Sequence, residues 1–193
     1  MGSCNSGGKG NSMSVLILGT QGEPKTPDEA LANTNPNREQ GREYQFNCQR
    51  CIYAYELQRQ GYDVEAKPRI FSDDDPMNYG IWMNGFVNQK WERNLGTMDT
   101  EVENTIVSKM QGWGDGSRGI IYVAWQGGNS HVANVENKAG NVTIYDGQTG
   151  KTHTLSDFLS IAQPSSTMIS RVDNLKPNVN VLKHAVKKRE SKL

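Results

Sequence analysis

Cys48 and Cys51, in the run Asn47-Cys48-Gln49-Arg50-Cys51, are followed far downstream by Ser130-His131-Val132 and Asp146-Gly147-Gln148-Thr149-Gly150. The order cysteine, histidine, aspartate is that of a thiol nucleophile, the base that takes its proton and the carboxylate that orients the base. A thiol reacts as thiolate, and two settings favour the anion: a helix N-terminus and a nearby imidazole. Each residue alone also has an inert reading, since a helix cysteine is commonly buried filler and a strand histidine facing a carboxylate commonly a satisfied polar pair. The three together, in that order, point to attack on a carbonyl carbon. Cys51 reads as a small core residue one turn deeper, with reversible pairing to Cys48 as the alternative. Cys-x-x-Cys at a helix start also resembles a thioredoxin-type redox motif, but the βαβ pattern expected before it is missing. Zinc would need four ligands, and beyond these residues only Cys4, His153 and His184 remain, without metal-site spacing. No metal and no cofactor is expected.

The elements that must position these side chains can be read from periodicity. Between Cys48 and Gln60 the residues Cys48, Ile52, Tyr55 and Arg59 share one helical stripe, with Asn47 placed to cap the first turn and Gly61 to end the last. Cys48 then falls in the first turn, where unpaired N–H groups and the helix dipole stabilise an exposed anion by up to about 1 kcal/mol. Tyr62, Val64 and Ala66 alternate with Asp63 and Glu65 as in a half-buried strand. A second helix is predicted over roughly 77–94, with Ile81, Trp82, Phe86 and Trp91 inward despite Gly80 and Gly85. A third is predicted from Thr100, which forms a capping box with Glu103, through Val102, Ile106 and Met110 to Trp113.

The second half reads as strands. Gly119 to Trp125 is apolar almost throughout, as in a strand covered on both faces. Val132–Glu136 and Asn141–Asp146 flank Asn137-Lys138-Ala139-Gly140, a four-residue hairpin loop. In that register Glu136 pairs with Asn141 and His131 stands directly opposite Asp146, with Cβ atoms about 5 Å apart. Trp125, just before the Gly127-Gly128 loop, is placed to line a substrate groove.

Bulk composition narrows the partners. With 193 residues the chain suits one domain with ragged ends. Twenty-one basic side chains against twenty-one acidic ones give no net field, so neither nucleic acid nor an anionic membrane is an expected partner. No apolar run approaches the roughly 18 to 20 residues that span a bilayer, and no secretory signal is evident, so a soluble protein is expected. Three cysteines are too few and too odd in number for a disulfide framework. Residues 1–25, rich in Gly, Ser and Asn, read as a flexible tail unless Val15-Leu16-Ile17-Leu18 adds a strand, and Met1-Gly2-Ser3-Cys4-Asn5-Ser6 matches a minimal N-myristoylation pattern. Residues 176–193 read as a solvated basic tail, leaving 26–175 as the ordered domain.

Several segments are similar to the papain-like fold toxin family, the predicted glutamine deamidase toxins. They are Asn35-Pro36-Asn37, Tyr44 through Cys51, Ala54-Tyr55-Glu56-Leu57, Gly61 through Ala66, Gly127 through Val132, Asp146 through Gly150, and the closing Arg171-Val172-Asp173-Asn174-Leu175. The resemblance runs from about Asn35 to Leu175 and is nearest to members at the ends of phage minor head proteins and bacterial polymorphic toxins. It implies an α+β papain-like domain, a nucleophile helix packed on a small antiparallel sheet. It also implies nucleophile Cys48, base His131 and orienting Asp146, acting on glutamine side chains of a target protein. An immunity protein as partner, and a bacterial or phage-associated origin with delivery into a target cell, follow by the same analogy.

Two positions depart from the family's pattern. Gly147 stands where proline is expected, and Arg42 stands where papain-like peptidases carry an oxyanion-donating glutamine. Candidates for oxyanion or substrate contacts are therefore Gln45, Asn47, Gln148 and Trp125, with the Cys48 backbone N–H. Deamidation and peptide cleavage share every chemical step, so a cysteine peptidase of the same fold, as in virion processing, is the alternative. A non-catalytic phage-head or binding module is the third reading.

Overall fold

Every residue from Arg50 to Gln58 is buried. A helix covered on all sides needs elements around it, and the rest of the chain supplies them. The structure is a computed structural model that describes residues 8–190, with side chains from residue 13. The Met1–Ser6 pattern and Cys4 lie outside the described residues. In chain order the elements are α1 (Gly8–Leu18), α2 (Pro27–Thr34), α3 (Arg42–Gln45), α4 (Cys48–Arg59), β1 (Val64–Ala66), α5 (Asp99–Trp113), β2 (Arg118–Ala124), β3 (Ser130–Lys138), β4 (Asn141–Asp146), β5 (Lys151–Thr154), α6 (Leu155–Leu159), β6 (Met168–Arg171), α7 (Val179–Ala185) and β7 (Val186–Lys188). Strands β5-β4-β3-β2-β6 form one antiparallel sheet, and β1 pairs with β7 in a second, two-stranded one. This is the α+β arrangement expected from the sequence.

Alternation along the strands divides the apolar side chains between two cores. Ile120 and Val132 face α4, with Ile52, Tyr53 and Leu57. Ile121, Val123, Ala133, Val135 and Ile144 face α5 and α6, against Val102, Ile106, Met110 and Phe158. The inward triplet predicted for α5 is fully buried, but its start is held by Thr97, whose backbone N–H and hydroxyl both donate to Glu101 Oε2, rather than by Thr100 and Glu103.

The polar side chains of α4 bind it to its surroundings. Arg50 donates to Asp75 at 2.6 Å, Arg118 donates to Glu56 at 2.8 Å, and Tyr55 and Arg59 both donate to Glu136 on β3, at 2.6 and 2.7 Å. Asn134, also on β3, donates to the Ile52 carbonyl at 3.0 Å. These contacts come from three different segments, the loop at Asp75, β2 and β3, so the helix is clamped in direction as well as position.

Three expectations differ from what forms. The one helical piece within residues 77–94 is a 3-10 turn, Ile81–Asn84, because Tyr79, Gly80 and Asn88 take left-handed φ of 56°, 81° and 60°, which interrupt a helix. Trp82 and Phe86 are buried as expected, whereas Ile81 is 46% exposed. The segments read as tails carry structure: Leu18 of α1 is buried beside Leu182, Ala185 and Val186, and Val64–Ala66 finds its strand partner in Val186–Lys188. The apolar run 15–18 thus ends a helix instead of adding a strand. The β3–β4 turn is two residues, Ala139-Gly140, with φ of 50° and 87°, not four. Such a turn suits the twist of the strands it joins.

Candidate active site

The shorter turn moves the β3–β4 register by two positions, pairing Lys138 with Asn141 and Glu136 with Thr143. His131 is therefore not directly opposite Asp146. A shift of two, however, leaves every side chain on its original face, because strand side chains repeat with period two. The ladder ends at Asn134 and Tyr145, and beyond it His131 Nε2 meets Asp146 Oδ2 at 3.1 Å. Both side chains are about nineteen-twentieths buried.

Asp146 is held by its own turn. Its Oδ1 accepts from the backbone N–H groups of Gln148 and Thr149 at 3.0 and 3.4 Å, and its Oδ2 also accepts from the Thr149 hydroxyl at 2.8 Å. Burial pushes this carboxyl up, but the bonds from His131 and Thr149 outweigh it and hold the group below its ordinary value. The turn is braced from outside by Arg38 on the Thr149 carbonyl at 3.0 Å and by Asn35 on the Gln148 carbonyl at 3.4 Å.

Nε2 is committed to Asp146, and the Cys48 side chain is near enough to His131 to favour its charged form. Burial alone would push the imidazole down. The bonds to Asp146 and Cys48, and the charges behind them, more than offset it and raise His131 from 6.5 to about 10. The favoured state is an imidazolium paired with the Asp146 carboxylate. Its contribution to stability is full below pH 6.5 and is lost as the pH rises through about 10. The Asp146 contribution is present above the ordinary carboxylate range and is lost on acidification through its depressed value. The Trp125 and Phe158 rings flank the imidazole at centroid distances of 5.5 and 6.1 Å.

Cys48 opens α4, and its backbone N–H donates to Gln148 Oε1 at 2.9 Å. Gln148 thus stands where Gln45 was also a candidate; Gln45 is exposed at the end of α3. Asn47 occupies the cap position but makes no side-chain cap bond. It is buried, donates to Asn35 Oδ1 and the Lys67 carbonyl at 3.2 Å each, and accepts from Cys51 Sγ at 3.1 Å. Its amide is thereby engaged in structure, which corrects its reading as a helix cap. Cys51 is buried beneath Cys48, and burial, with repulsion from Cys48 and Asp146, raises its thiol well above the ordinary range. Both cysteines are free thiols. Among the described residues no cluster of three or more His, Cys, Asp or Glu forms a metal site.

Sequence reasoning did not assign roles to Asn35, Arg38 or Thr149, although Asn35 and Thr149 lie in the motifs that carried the resemblance. Their signal was the motif, not the residue type. A cavity of about 840 Å³ lies at the opposite end of α4, beside Arg59, Gln60 and Arg118, and takes no part here.

Gly147 has a local reason. A Cβ there would lie 2.6 Å from Thr34 Cγ2 and 3.2 Å from Cys51 Cβ. Gly147→Ala should therefore lower stability by roughly 1–3 kcal/mol through overpacking. Adding Thr34→Ser, which removes that methyl and keeps the hydroxyl bonded to the Ala30 carbonyl, should restore much of it in thermal unfolding. Failure of the second change to help would place the strain elsewhere.

One family matches the chain, papain fold toxin 1, glutamine deamidase, over residues 46–151, more than half of its length. No curated protein and no solved structure matches. Among the described residues no helix is long and apolar enough to cross a membrane.

Proposed function

We propose that this chain, which belongs to the papain fold toxin 1 glutamine deamidase family, hydrolyses the side-chain carboxamide of glutamine in a target protein through Cys48, His131 and Asp146. The observation that carries this reading is a single buried imidazole paired with Asp146 through Nε2 and close to Cys48 at the start of α4. Cys48 as thiolate attacks the carboxamide carbon, forming a C–S bond and a tetrahedral oxyanion. His131 then donates its proton to the departing nitrogen, which leaves as ammonia while the C–O double bond re-forms as a thioester. The neutral imidazole next takes a proton from water, the hydroxide attacks the thioester carbon, and glutamate leaves as the thiolate returns. Asp146 keeps Nε2 protonated and the ring aligned throughout.

The Cys48 N–H is the first oxyanion donor. Gln148 Oε1 sits on it in the place a substrate carbonyl oxygen would take. Once displaced, the same side chain can turn its Nε2 toward the oxyanion as a second donor, which offsets the missing upstream glutamine.

The test is ammonia release from a short glutamine-containing peptide, with products read by mass spectrometry, alongside iodoacetamide labelling of Cys48 and Cys51 from pH 5 to 9. Conversion of glutamine to glutamate without chain cleavage is expected, together with fast labelling confined to Cys48 and already present below pH 7. In His131→Ala that early labelling should be lost, leaving an ordinary thiol profile. Cut peptide bonds would instead mark a peptidase of the same fold. Equal, slow labelling of both thiols in the unaltered protein would leave no activated nucleophile.

A further inference from the structure

Two residues before Cys48 the chain surfaces at Phe46, which is 49% exposed. The Arg42 guanidinium lies 5.4 Å from its ring centroid and 5.1 Å from that of Phe71, itself 52% exposed, and the Arg69 guanidinium lies 5.3 Å from the Phe71 centroid. The result is a surface stack of two arginines and two phenylalanines in which Phe71 contacts both guanidinium groups. It is built from two segments, joined where the Arg69 N–H donates to the Glu43 carbonyl at 2.8 Å. Next to Phe71 a cavity of about 500 Å³ opens between Ile70, Asn78 and Tyr79.

Among the described residues neither arginine is in an ion pair, although nine such pairs form elsewhere. The nearest acid in sequence, Glu43, turns its carboxylate toward Gly41. Asp73 stands on the rim of the cavity, and Asp75 is taken by Arg50. Stacking on an aromatic face fixes a guanidinium plane and leaves its N–H edge outward, a preorganised fork for a carboxylate.

We propose that this stack is the substrate-docking surface and that it selects glutamines flanked by acidic residues, the flanking carboxylates lying on Arg42 and Arg69 while apolar neighbours cover Phe46 and Phe71. This specificity rests on the reading of Cys48 as nucleophile. A deamidase that recognised only a carboxamide would strike any exposed glutamine. A paired cationic stack, half of it built on the segment that leads directly into Cys48, restricts it to one class of segment.

The probes are short peptides in which the glutamine carboxamide is replaced by a chloromethyl ketone, flanked on both sides by either two glutamates or two lysines. The measured quantity is the rate of covalent labelling of Cys48 by mass spectrometry. At low salt the acidic probe is expected to label about tenfold faster than the basic one, and 0.5 M salt should narrow the gap. Arg42→Gln/Arg69→Gln should bring the two rates within about twofold while labelling by small iodoacetamide and the thermal midpoint stay unchanged. Equal rates in the unaltered protein, or an undiminished preference in the double variant, would overturn the proposal while leaving the nucleophile intact. No labelling of Cys48 by either probe would overturn both.

Discussion

Replacing His131 by alanine should lower the rate of ammonia release from a glutamine peptide by about 10⁴-fold, and Cys48→Ala should cost at least as much. The two losses should not add. In the double variant the rate should fall little below that of either single one, because a thiolate without its imidazole partner and an imidazole without its thiolate fail at the same step. Asp146→Asn is a finer probe. It keeps the shape of the turn but removes the charge that fixes the proton on Nε2, so His131 should lose part of its elevation as well as its orientation. Steady-state rates for the four proteins check this, and clean additivity of the single losses would mean that Cys48 and His131 do not act as a unit.

The second large effect concerns the fold. Arg50 and Asp75 are each 99% buried and 2.6 Å apart. Asp75 also accepts from the backbone N–H groups of Met77 and Ile70 at 2.9 and 3.3 Å, so this carboxylate shapes the segment that carries Phe71 and Tyr79. Burial pushes its carboxyl up, yet the bond from Arg50 and these N–H groups more than compensate and hold it below the ordinary value. Arg50→Ala strands that charge and should cost about 3–5 kcal/mol, read as a drop in the urea midpoint with the slope unchanged. Because the depressed carboxyl contributes stability above the ordinary carboxylate range and loses it on acidification, the difference between the two proteins should shrink toward low pH. A midpoint shift of under about 1 kcal/mol would show that water reaches Asp75 once Arg50 is gone.

Local signals carried the candidate site further than they carried the fold. Helical spacing and Gly61 located α4 to within a residue, and the apolar run 119–125 located β2. The hairpin loop was misjudged by two residues, yet the facing of His131 and Asp146 survived because the error was even. A one-residue error would have turned Asp146 away. Burial of Asn47 was not legible, since its partners Asn35, Lys67 and Cys51 are brought together only in the folded chain. The helix expected at 77–94 is interrupted by left-handed residues, and those at Tyr79 and Asn88 carry no glycine to announce them. The outer segments misled because Gly, Ser and Lys content reports solvent preference, whereas Leu18, Leu182 and Val186 report what the rest of the fold leaves uncovered.

The clamping of α4 by Asp75, Arg118, Asn134 and Glu136 has a kinetic side. The nearest of these partners lies about two dozen positions from its contact on the helix and the farthest more than eighty, so no short fragment can place Cys48 against His131. Long loops must close before those contacts form, which slows folding.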